Sequence, residues 1–80
     1  MQEKPWDKGE FAILVSTPRM SDDALSVEID RSASAIAVVR EGICMYHRTQ
    51  DSNGILSRMM VTFLDTRRGD LLCHKCKARI

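Results

Sequence analysis

Apolar positions along the chain gather into three segments separated by polar turns. The first, Phe11-Ala12-Ile13-Leu14-Val15, is a short continuous run ended by Ser16-Thr17-Pro18. Continuity without a helical period predicts a short N-terminal strand in a covered position. In the second segment Leu25, Ile29, Ala33, Ile36 and Val39 recur at three- and four-residue steps. Ser21 can cap a helix there, Asp22 and Asp23 favour its first turn, Arg40 its last, and Gly42 a left-handed stop. Leu25, Val27 and Ile29 also alternate with Ser26, Glu28 and Asp30, as a strand would. Helix and strand therefore both stay open for residues 24–41, and the agreement of caps with period favours the helix. In the third segment Ile55, Leu56, Met59, Met60, Phe63 and Leu64 form pairs four residues apart, closed by Arg67, Arg68 and Gly69. That is the stripe of a second amphipathic helix over 55–67.

These elements predict a small α+β single domain over 11–80, preceded by a polar arm over 1–10 that Trp6 anchors. Eighty residues give a core near the lower limit for independent folding, and this one is aliphatic, with one Trp, one Tyr and two Phe. A staple such as a metal or a partner subunit is expected for a chain of this size.

The candidate staple is visible. All three cysteines and both histidines fall into two clusters, Cys44-Met-Tyr-His47 and Cys73-His74-Lys75-Cys76. Each places two ligands three residues apart, and 25 residues separate the pairs, ample chain to form an element and return. Zinc is bound by four N or S ligands in a tetrahedron, and Cys44, His47, Cys73 and Cys76 make a three-cysteine, one-histidine set. His74 could replace His47 as the nitrogen ligand, although it would face away from a turn formed by its neighbours. The ligand pattern of residues 44–76 resembles that of zinc-ribbon and treble-clef domains. The resemblance implies a knuckle near 44–47, a second near 73–76, and bound Zn2+. Arg48 and Lys77 stand where such knuckles carry glycine.

The rival readings are a buried structural Cys44 with free Cys73 and Cys76, and a redox Cys73/Cys76 pair, which Lys75 and Lys77 would assist. Enzymatic chemistry has less support. The His-x-Glu and Pro-Cys-x-x-Cys signatures of zinc deaminases are absent, and four protein ligands leave no open zinc position for a substrate. The chain therefore reads as a binding protein, with no small-molecule substrate.

Charge changes the picture only through its distribution. Residues 1–30 carry three basic and seven acidic side chains, a balance of −4, whereas residues 58–80 carry six and two, a balance of +4. The basic end (Arg58, Arg67, Arg68, Lys75, Lys77 and Arg79) suits nucleic-acid backbone or an acidic partner. Few aromatics accompany it, which favours protein over single-stranded nucleic acid. The stripe of Met59, Met60 and Phe63 offers an adaptable partner or homodimer surface. The expected function is that of a small zinc-stabilised regulatory protein that binds a host or partner protein, with nucleic-acid binding as the alternative. The odd cysteine count, the lack of an apolar leader and the absence of a membrane-length apolar run predict a cytoplasmic, reducing setting.

Overall fold

The computed structural model describes residues 5–80 and is all-α: four helices and, among the described residues, no strand. The α+β expectation is thereby corrected. Helix α1 spans Lys8–Ser16, α2 Asp22–Ile29, α3 Ala33–Thr49 and α4 Arg58–Thr66.

The run Phe11–Val15, expected as a strand, is the body of α1. Its helical signal lies upstream of the apolar residues, in a capping box. The Asp7 carboxylate accepts from the Glu10 amide at 2.7 Å, and Glu10 accepts from the Asp7 amide at 3.2 Å. Phe11, Leu14 and Val15 then face inward at three- and four-residue spacing while Ile13 is exposed. Of the expected arm, residues 1–4 lie outside the described residues, residues 8–10 belong to α1, and Trp6 packs against the core.

Residues 24–41 resolve into two helices. Ser21 caps α2 as expected, and Asp30 in the left-handed conformation (φ 52°) ends it. Ser32 caps α3. The break is fastened by Arg31, nearly buried, whose guanidinium donates to both Glu10 carboxylate oxygens (2.7 and 3.0 Å) and to the Pro5 carbonyl (2.9 Å) and lies over the Trp6 ring.

Gly42 is not a helix stop. It lies inside α3, where a Cβ would come within 2.5 Å of Ile55 Cγ2. Its missing side chain admits the Ile55-Leu56 segment against the helix, and α3 runs on to Thr49 before Gln50 (φ 63°) closes it. The fourth helix consequently starts at Arg58, capped by Ser57, rather than at Ile55.

Helix α2 packs along α3, and α1 against α4 and α2. The core gathers residues from all four helices, with Phe11 edge-on to Phe63 at 5.5 Å between centroids. After α4 the chain doubles back as a hairpin-like loop. The Ile80 amide donates to Leu71, the Cys73 amide to Ala78, and the Gly69 amide to Ile80, with one antiparallel bridge between Leu72 and Arg79. No helix of the described residues is long and apolar enough to cross a membrane.

Candidate metal centre

Cys44 and His47 stand three residues apart near the C-terminal end of α3, so they emerge on one helical face. The knuckle expected at 44–47 is corrected: these two ligands are carried by a helix. The second pair lies on a tight turn. The Cys73 carbonyl accepts from the Lys77 amide at 2.9 Å, wrapping the backbone around residues 73–77. Lys77 has φ 61°, taking the left-handed position where glycine is usual in such turns.

Helix end and turn tip converge. The three Sγ atoms and a ring nitrogen of His47 all lie within 4.8 Å of one another, and His47 Nε2 is 2.9 Å from Cys76 Sγ. A zinc tetrahedron with bonds of about 2.0–2.3 Å has edges of about 3.5–3.8 Å, so small side-chain rotations separate this pair and seat an ion. The three cysteines are free thiols. Cys44 and Cys73 are buried, His47 is half-buried and Cys76 is exposed, so the centre is rooted in the core and opens at one edge.

The electrostatics fit a cation. Burial pushes the Cys73 thiol up to about 11, because a lone thiolate there would be poorly solvated. Cys76 is shifted downward, chiefly by the Ala78 backbone amide. Burial, and then the Arg48 charge, lower His47 and keep its imidazole neutral, the form that binds metal. A divalent ion would supply the charge that this group of soft ligands lacks.

His74 is turned elsewhere. Its Nδ1 is 2.6 Å from the Pro18 carbonyl, which can only accept, so Nδ1 carries the proton. Its Nε2 lies 3.5 Å from Arg40 Nη1. Arg40 is 2% exposed and donates to the Thr17 and Met20 carbonyls (3.1 and 2.8 Å) and to Asp22 (2.8 Å). His74 and Arg40 thus tie the metal turn to the connection between α1 and α2. Sequence reasoning assigned Arg40 to a helix end. Its position among Ile36, Val39 and Ile43 was the signal that it lies on the buried stripe of α3.

The other site residues do not gather on one surface. Met60 and Phe63 are in the core and Met59 is half-buried. Arg58 and Arg67 border a groove beside α4. Arg68 bonds Gln50 and Asp65, and Arg79 bonds the Gly69 carbonyl. Lys75 and Lys77 line a separate cavity with Asp22, Arg40 and His74. Compared with known proteins, the chain matches no family model, no curated protein and no solved structure. Its likeness to zinc-ribbon and treble-clef domains is therefore one of ligand spacing alone.

Proposed function

We propose that Cys44, His47, Cys73 and Cys76 hold a structural Zn2+ and that the chain is a small regulatory protein acting through protein–protein interaction. One observation carries this reading. Four soft ligands from two remote segments converge where the C-terminal hairpin meets the end of α3. Four protein ligands complete a tetrahedral shell and leave no position for a substrate, which supports a binding rather than catalytic role. Zinc would fix residues 69–80 in place and give this small core its staple.

The test has two stages. Protein purified without added metal should carry one zinc per chain, and chelation should lower its thermal transition. Capture from native extract should then yield a stoichiometric protein partner that survives nuclease treatment and is lost with Cys44→Ser. A partner lost on nuclease treatment would instead favour nucleic acid. That second reading is supported by Lys75 and Lys77, which flank Cys76 on the metal turn.

A further inference from the structure

Beside α4 lies an open groove of about 480 Å³ that includes the N-terminal end of α1. Met59 and Phe63 supply its apolar lining, Thr62 and Thr66 lie beside them, and three cations, Lys8, Arg58 and Arg67, complete it. No carboxylate lines it. The neighbouring acidic side chains are engaged elsewhere: Asp7 caps α1 by accepting from the Glu10 amide, Glu10 pairs with Arg31, and Asp65 accepts from the Tyr46 hydroxyl at 2.8 Å and pairs with Arg68. Among the described residues, Lys8, Arg58 and Arg67 have no carboxylate partner.

We propose that this groove docks an acidic protein segment carrying an apolar anchor, the anchor against Met59 and carboxylates on Lys8, Arg58 and Arg67. The inference rests on the protein-binding reading and gives the partner its chemistry. A half-buried methionine between cations matches an amphipathic acidic segment in both shape and charge. Nucleic acid matches it less well. The Arg67 guanidinium lies 5.4 Å over the centre of the Phe63 ring, so a face on which a base would stack is covered. A phosphate backbone would gain nothing from the apolar lining. Lys75 and Lys77, which a polyanion would also use, line a cavity that shares no residue with this groove.

The test is fluorescence anisotropy of the zinc-loaded full chain with a labelled helical peptide of Leu on one face and Glu on the other. The controls are the same peptide with Lys for Glu, and mixed-sequence single- and double-stranded DNA. The Glu peptide should bind, and Lys8→Glu combined with Arg58→Glu should weaken it by about tenfold or more through like-charge repulsion. Both substitutions put an acid in the first turn of a helix, where it is favoured, so folding is retained, and circular dichroism checks this. Arg19→Glu, at an exposed cation outside the groove, should leave peptide binding unchanged. Failure of the Glu peptide to bind, equal binding of the Lys peptide, or indifference to the groove substitutions overturns the docking site. DNA binding lost in the groove variant overturns both this inference and the protein-binding reading. A native partner captured equally by wild type and groove variant overturns the groove alone.

Discussion

His47 Nε2 lies 2.9 Å from Cys76 Sγ, so the end of the longest helix and the tip of the C-terminal hairpin meet through two side chains. His74, adjacent to a ligand in sequence, instead spends its Nδ1 proton on the Pro18 carbonyl. Zinc affinity should divide the two histidines. His47→Ala removes a ligand and should abolish stoichiometric zinc. His74→Ala should keep one zinc per chain, with a loss no greater than the about 10–100-fold typical of residues just outside the ligand shell. Competition against a chromophoric chelator measures both, and the opposite ranking would assign the nitrogen ligand to His74.

Thiol chemistry should follow the burial gradient of the three cysteines. In the metal-free chain Cys76, exposed and shifted downward by the Ala78 amide, should alkylate first. Buried Cys73, pushed up to about 11, should react last. Zinc should protect all three. Timed iodoacetamide labelling read by mass spectrometry gives the order, and Cys73 reacting ahead of Cys76 would contradict the described burial.

The same shifts set the pH response of the metal-free fold. The pKa of Cys73 is raised in the folded state, so its contribution is intact below its ordinary 9.0 and lost as pH rises through 9.0 towards about 11. The pKa of His47 is lowered, so its contribution is present above its ordinary 6.5 and declines as pH falls below that value. Thermal melts with chelator and reductant should therefore show greatest stability between these two limits. Zinc should hold the plateau further into the alkaline range, because the bound thiols are already deprotonated.

Gly42 should gain nothing from the smallest addition. In an open helix Ala would gain about 1 kcal/mol over Gly. Here its Cβ would meet Ile55 Cγ2 at 2.5 Å and Leu56 Cδ2 at 3.1 Å, and overpacking typically costs about 1–3 kcal/mol. Gly42→Ala should thus be neutral to destabilising by about 2 kcal/mol, and Ile55→Ala in the same chain should recover part of the loss. Urea denaturation of the two single variants and the double variant checks the coupling; additive effects would place the 55–56 segment elsewhere.

The cluster of Cys44, His47, Cys73 and Cys76 was legible in the sequence because metal chemistry demands particular residue types at particular spacing, and these four show it. The helical nature of Phe11–Val15 was not, because five consecutive apolar residues have no period. The deciding hydrogen bonds belong to Asp7 and Glu10, whose capping-box spacing lies within the expected arm. Gly42 misled for a related reason. A glycine that ends a helix and one that admits a neighbour look alike until Ile55 is found against it. The separation of Arg58 and Arg67 from Lys75 and Lys77 depended on how the C-terminal segment folds back, which linear charge counting cannot reveal.

Arg40 should matter more through its backbone partners than through its ion pair. Its guanidinium serves the Thr17 and Met20 carbonyls from the middle of α3, while Asp22, the acidic partner, keeps 35% side-chain exposure. Arg40→Met keeps much of the volume but removes the donors from two backbone carbonyls, and should destabilise the zinc-loaded chain by about 3 kcal/mol. Asp22→Asn retains an acceptor at a partly solvated position and should cost less than about 1 kcal/mol. Because His74 joins Arg40 and Pro18 to the metal turn, Arg40→Met should also speed zinc release, whereas Asp22→Asn should not. Equilibrium denaturation and stopped-flow transfer of zinc to a chelator separate these effects. Equal costs for the two substitutions would show that the charge pair, and not the capping of the connection between α1 and α2, is what Arg40 supplies.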